Sequence, residues 1–270
     1  MEVHKLGWSR TLAKKIFPTI GPAFSPRPAQ LALYLLETSV AILQGKGAGT
    51  GWDAGAETKV ALPFLSPGAV VFDVGANMGT WTTEIRHAYK QPLKIYMFEP
   101  QPSCQRELAP LAADGCVLVS SAVGNEKGTV TFHFSIEGAG SASIYQRKES
   151  YFADQVGSIE VPILKLDDFA AENSISKIDY MKIDVEGHEL AVLKGASDLI
   201  SRGAVRAIAF EFGSANIYSG TFFRSFWDFL TGYGYSLSRI TPGGRLSKIE
   251  SYYEDLEYFR GVSNYLAVLR

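Results

Sequence analysis

Residues 70–82 read VVFDVGANMGTWT: an apolar run, an aspartate, then Gly75 and Gly79 around a short turn. A run of this kind that bends at glycine and passes into the helical pattern TWTTEIRHAY opens a strand–turn–helix unit with a ligand loop at its bend. The pattern then recurs along the chain. LKIYMFE leads into the helical QPSCQRELAPLAA, and CVLVSSAVG forms a third strand. KIDYMKIDVEG precedes HELAVLKGASDLI, and VRAIAFEFG precedes TFFRSFWDFLTGYG. Strands alternating with helices predict an α/β domain built on a mostly parallel sheet. YSLSRIT and NYLAVLR close that sheet as a terminal antiparallel pair. GTVTFHFS and SIEVPILKL form an inserted hairpin around an excursion at 137–157.

The rest of the sequence sets limits on what that domain does. Of 270 residues 46% are apolar and 20% charged, with a net charge of −2, so there is no basic footprint for nucleic acid. Cys104 and Cys116 fit neither a zinc nor a disulfide framework, which places the chain in a reduced, cytoplasmic setting. No signal peptide is read at the N-terminus. LALYLLETSVAIL (31–43) is too short to span a bilayer and contains Glu37. Residues 1–56 read as an N-terminal helical extension, broken by PTIGPAFSPRP and GKGAGTG, ahead of a domain at 57–270. LGWSRTLAKKIF is basic and amphipathic; a place over the active site or on a partner subunit is preferred to one on a membrane surface. GKGAGTG lacks the ending of a phosphate loop and reads as a hinge or lid.

Three acidic residues fall at strand ends, where ligands bind in such sheets: Asp73, Glu99 and Asp184. A pyrophosphate wants backbone N–H donors, and a carboxylate in its loop would repel it. The G-x-G-x-x-G of nicotinamide dinucleotide sites is absent. An aspartate ahead of the glycines suits a ligand that carries a cation, as S-adenosylmethionine does in its sulfonium and ammonium groups. Glu99, ending the next strand, is placed to accept from ribose hydroxyls. The competing reading of Asp73 is a cap on the turn that follows it.

Five stretches in order carry a specific likeness: VVFDVGANMGTWT, MFEPQP, SSAVGNEKGTVTF, VPILKLDDF and YMKIDVEGHELAVLKGA. Over residues 57–212 the chain resembles the FkbM family of class I S-adenosylmethionine-dependent methyltransferases. The resemblance implies a Rossmann-like class I methyltransferase fold, with a seven-stranded, mostly parallel sheet whose last strand is antiparallel. It implies O-methylation of a hydroxyl on a sugar, a polyketide or another product of natural product biosynthesis. It assigns Gly75, Ala76, Asn77 and Gly79 to the methionine side of the cofactor, Glu99 to its ribose, and Ser121 and Ala122 to its adenine, with Asp73, Thr80, Pro100 and Asp184 also among the cofactor-binding residues. Ser121 read alone is equally a loop hydroxyl.

Methyl transfer to a hydroxyl needs alignment, worth up to about 7–11 kcal/mol, and a base, worth about 10²–10⁴-fold. IDVEGHE offers Asp184, Glu186 and His188, and Glu211 ends the next strand at the cleft rim. The bland alternative is that Glu186 and Glu189 answer the dipole of the following helix. Asp184, Glu186 and Glu211 have the hard oxygens a divalent cation takes, but no metal is expected, and His4, His87 and His133 are scattered. IYSGTFFRSFWDFL reads first as a core helix. An acceptor pocket or the interface of a homodimer are its other readings. A small-molecule or glycan acceptor is the expected partner. The rival functions are a non-catalytic cofactor-binding scaffold and a nicotinamide-dependent oxidoreductase.

Overall fold

The strand at residues 69–74 is β1, and its burial explains its sequence. In this computed structural model, which describes residues 7–47, 49, 54–135, 142–147 and 157–270, β1 (Ala69–Val74) has neighbours on both sides. β2 (Leu93–Phe98) pairs with one edge in parallel, Val74 opposite Phe98. Strands covered on both faces read as continuous apolar runs, as VVFDV and KIYMF do. Most of the 137–157 excursion and part of GKGAGTG lie outside the described residues.

The remaining strands follow in chain order. β3 (Val117–Val119) and β4 (Ala122–Val123) divide the expected third strand, because the chain bends at Ser120–Ser121 and β4 leaves the main sheet. β5 (Gly128–Phe134) and β6 (Gly157–Leu164) make the expected hairpin. β7 (Tyr180–Ile183), β8 (Ala207–Gly213), β9 (Tyr235–Thr241), β10 (Arg245–Lys248) and β11 (Val262–Leu269) complete the set. The main sheet runs β10-β9-β11-β8-β7-β1-β2-β3. The seven strands from β3 to β9 have the class I methyltransferase arrangement, with β11 antiparallel to both β8 and β9. β10 adds an eighth, exposed strand at the edge.

From β1 the order steps one way to β2 and β3 and the other way to β7 and β8. The chain therefore changes direction between β1 and β7, and a crevice opens at their carboxyl ends. A second, three-stranded sheet, β4-β6-β5, stands beside that crevice on its own small core of Ala122, Phe132, Ala142, Val161 and Ile163.

Two apolar layers sandwich the main sheet, and strand alternation assigns residues to each. Phe72 and Val74 face one layer, and Val71 faces the other with Trp81 and Ile85 of the helix Thr80–Ala88. The aromatic helix Phe223–Gly232 is a core helix. Phe226 stacks on Phe210 of β8 at 5.0 Å, and Phe223 lies 4.6 Å from Tyr265 of β11.

The chain divides into two compact units, one up to Ile42 and one from Leu43. Gln44, Gly47 and Ala56 belong to the second unit and contact its sheet and core. Arg239 Nε donates to the Gln44 carbonyl at 2.7 Å, Gly47 N–H to Ser263 Oγ at 2.9 Å, and Ala56 packs in the core.

Candidate active site

The glycine loop is held by backbone to the end of β2. The N–H groups of Gly75 and Ala76 both donate to the Phe98 carbonyl, each at 3.0 Å. Asn77, at φ +48°, gives its N–H to Glu99 Oε2 at 2.9 Å, and Gln101 gives its own to Glu99 Oε1 at 2.8 Å. The Gln101 side chain also hydrogen-bonds this carboxylate, which is an acceptor at both oxygens when ionised. Burial raises the Glu99 carboxyl to about 7, against the pull of these two N–H donors. Gly75 is fixed by proximity: at φ +85°, a Cβ there would lie 1.8 Å from the carbonyl oxygen of Asp184. The ends of β1 and β7 close to this distance only because the residue is glycine.

Asp73 is not at the loop. Alternation within β1 turns it under the helix Thr80–Ala88, where it is fully buried and accepts from Thr82 Oγ1 at 2.6 Å. Lys182, buried in the middle of β7, approaches it at 4.0 Å and pairs with Asp184 at 2.9 Å. Burial raises the Asp73 carboxyl, and Lys182 opposes the rise. Burial would lower the Lys182 ammonium, but Asp184, Asp73, Glu57 and Glu211 together raise it, so it stays charged.

The turn after β7 is wrapped round a different carboxylate from any expected at the site. Glu189 accepts from the N–H groups of Val185 at 3.2 Å and Gly187 at 3.0 Å. That arrangement sets Glu186 at φ +55° and frees its side chain to face the cleft. Arg147 Nη2 meets Glu186 Oε2 at 2.9 Å, and the guanidinium is 2% exposed. Burial raises the Glu186 carboxyl to about 7, with Arg147 the main counterweight. Ser143 Oγ donates to the Glu186 carbonyl at 2.7 Å. Carboxylate oxygens of Asp184, Glu186 and Glu211 come within 4.8 Å of one another. Glu211 is held well above the usual carboxylate range by burial, then by Asp184 and Glu186.

His188 points elsewhere. Its Nδ1 lies 3.0 Å from the Tyr145 hydroxyl, and its Nε2 is directed at Gly124, beside the small sheet. Burial lowers its pKa to about 4, so the imidazole is neutral.

The cleft is lined by seven of the residues expected at the cofactor: Gly75, Asn77, Glu99, Pro100, Ser121, Ala122 and Asp184. Glu186 lines it as well, next to Asp184. Ala76 and Gly79 are buried in the loop's own packing, and Thr80 is exposed at the start of the helix. The wall made by the small sheet was not read from the sequence. Phe132, Ala142 and Ile144 come from the inserted hairpin and the excursion between its strands, and Gln101 from the β2 end. Apolar walls on one side and carboxylates on the other fit a nucleoside with a cationic tail better than a polyphosphate.

With this geometry in place, comparison with known proteins is direct. The methyltransferase FkbM domain matches residues 73–237. The 2-O-methyltransferase NoeI of Sinorhizobium fredii is 28% identical over 169 residues, 57% of this chain and 67% of that one. The 31-O-demethyl-FK506 methyltransferase FkbM of Streptomyces tacrolimicus is 30% identical, over 50% of this chain and 62% of that one. The hexuronic acid methyltransferase AglP of Haloferax volcanii is 28% identical, over 48% and 51%. The chain therefore spans between half and two-thirds of the length of these curated relatives. A solved FkbM methyltransferase from Methylobacillus flagellatus superposes with a TM-score of 0.45 at 16% identity, over 74% of this chain and 43% of that one. The domain match takes in more than half of the sequence, from Asp73 at the end of β1 into β9, and the protein belongs to the methyltransferase FkbM family.

Proposed function

We propose that the protein is an S-adenosylmethionine-dependent O-methyltransferase acting on a hydroxyl of a sugar or another natural product. One observation carries this reading: a single cleft runs from Glu99 at the end of β2 to Asp184 and Glu186 at the end of β7. The first end suits a ribose, and the second brings acidic groups to where a hydroxyl would have to lose its proton. The names of the relatives, a 2-O-methyltransferase and a hexuronic acid methyltransferase among them, favour a glycan acceptor.

When bound, the cofactor supplies an electrophilic methyl group on sulfur. Glu99 and the Asn77 N–H order the ribose side of the cleft, and Phe132, Ala142 and Ile144 exclude water from the adenine side. Asp184, fixed by Lys182, faces the cationic end. Glu186 takes the acceptor proton. Its carboxyl titrates near neutral pH, where a general base is most effective, and Arg147 holds the anionic form in place. His188 serves the packing of the small sheet instead.

The test is incubation with methyl-labelled S-adenosylmethionine and a panel of glycans and macrolides, read by mass spectrometry and S-adenosylhomocysteine release. Label on a sugar or macrolide oxygen supports the reading. Tight S-adenosylhomocysteine binding with no product from any hydroxyl acceptor would instead identify a non-catalytic scaffold. NADH binding in place of S-adenosylhomocysteine would identify an oxidoreductase.

A further inference from the structure

The N-terminal unit carries a surface that the methyltransferase reading does not use. Its helices are Gly7–Phe24 and Arg27–Leu43. Of the seventeen large hydrophobic side chains exposed among the described residues, eleven lie between Ile16 and Leu43. Their exposures run from 40% at Ile20 and Leu33 to 76% at Leu43, far from the isolated exposed leucine that any surface shows. Ile16, Ile20 and Phe24 follow one another at four-residue spacing and so share one helix face, while Lys14 and Lys15 are set away from it.

The charge on this unit is of one sign. Residues 1–42 hold five Lys and Arg against two Glu, a net +3 that leaves −5 on the remainder of a chain whose total is −2. Between residues 7 and 43 the sole acid is Glu37. A second copy of the unit docked on this face would bring +3 against +3, a like-charge juxtaposition that interfaces avoid. An anionic surface with an apolar interior is complementary to both properties at once. No helix among the described residues is long and apolar enough to cross a bilayer, so such a contact is interfacial.

We infer that the helices at 7–43 bind the face of an anionic lipid bilayer, with the Ile16–Ile20–Phe24 face and the leucines of the second helix set into the headgroup boundary and the lysines against lipid phosphates. Binding of this kind brings the protein to acceptors at a membrane surface.

The experiment uses the full chain and sedimentation with vesicles of phosphatidylcholine alone or mixed equally with phosphatidylglycerol. Binding is expected to the mixed vesicles, to fall in high salt, and to be weak on phosphatidylcholine. Lys14→Ala with Lys15→Ala lowers the partition coefficient roughly 30-fold, taking each basic residue at its usual worth near an anionic surface. Ile20→Ser with Leu36→Ser abolishes sedimentation with either vesicle. Both variants keep S-adenosylhomocysteine affinity, measured by calorimetry. Should a variant not fold, the salt and lipid dependence of the parent protein decides alone. No sedimentation with either vesicle, or equal sedimentation with both, overturns the inference. So does a dimer in analytical ultracentrifugation that Ile20→Ser with Leu36→Ser converts to monomer, since that outcome assigns the surface to a second copy.

Discussion

Replacing Gly75 by alanine tests the geometry that makes the cleft. Two costs add. The residue sits at φ +85°, where an L side chain costs about 1–2 kcal/mol. The new Cβ also falls 1.8 Å from the Asp184 carbonyl oxygen, which is backbone and cannot rotate aside. Relief requires the ends of β1 and β7 to part, against the Asp184 N–H to Val74 carbonyl bond of 2.9 Å, and overpacking of this kind costs about 1–3 kcal/mol or more. The total is about 2–5 kcal/mol, which for a domain of this size lowers Tm by roughly 5–20 °C. Asp184 moves with the strand end, so S-adenosylhomocysteine affinity drops by at least about tenfold, the equivalent of 1.4 kcal/mol. Gly68→Ala is the control. It has φ +81° with nothing within 4 Å, so it carries the strain without the collision and loses only about 1–2 kcal/mol. Differential scanning fluorimetry and calorimetric titration read both quantities. If Gly75→Ala melts within the range of Gly68→Ala and binds S-adenosylhomocysteine as the parent does, the close approach of β1 and β7 is not what shapes the site.

Glu99→Gln turns an NH₂ group toward one of the two backbone N–H donors the carboxylate now accepts, and should weaken S-adenosylhomocysteine binding by about 10²-fold. The same residue sets a pH dependence. Its carboxyl, raised to about 7 by burial, must be ionised to act only as an acceptor toward ribose hydroxyls, so affinity holds above pH 7 and declines as pH falls below it; titrations in buffers of different ionisation enthalpy should show proton release near pH 7. Glu186→Gln should lower kcat by about 10²–10⁴-fold with little change in cofactor affinity, whereas Tyr145→Phe, which removes the bond to His188, should cost about 1 kcal/mol of stability and leave kcat within a few-fold. The reverse order of these two effects on kcat would return the base to His188. Phe226→Ala, which empties a fully buried site stacked on Phe210, should destabilise by about 3–5 kcal/mol in urea unfolding without a specific effect on binding.

The sequence was most readable where one strand's burial wrote its own pattern. β1, β2, β7 and β8 are covered on both faces, so each is a continuous apolar run that allows few other placements. β10, all of whose residues are exposed at the sheet edge, has no such signature and was not distinguished from a loop. Asp73 illustrates a subtler limit. Strand alternation puts it beneath a helix with Thr82 and Lys182, so its side chain is not among those that line the cleft. A signal for this was present in YMKID: a lysine inside a buried strand requires carboxylate partners nearby, and Asp73 on the adjacent strand is one of them. Arg147, Ser143 and Tyr145 had no local signal. They reach the turn at 186–188 across 39 to 43 residues, and only the folding of the insertion back onto β7 brings them there.

The two walls of the cleft therefore differ in kind. One is made of strand ends locked by backbone bonds, with Gly75, Glu99 and Asp184 fixed relative to one another before any ligand arrives. The other is made by the insertion, which is tied to the first through side chains, chiefly Arg147 on Glu186 and Ser143 on the Glu186 carbonyl. Electrostatics join them. Lys182 and Arg147 face Asp73, Asp184, Glu186 and Glu211, so acids outnumber bases, and the excess is met partly by carboxyls raised above their usual range at Asp73, Glu186 and Glu211. A cluster with more buried acids than bases favours a cationic ligand over a phosphate, because the cation offsets the excess of carboxyls and a phosphate would add to it. The preference for a sulfonium nucleotide thus comes from the whole acid cluster at the end of β7, and Asp73 contributes to it from beneath the helix Thr80–Ala88, beside Lys182.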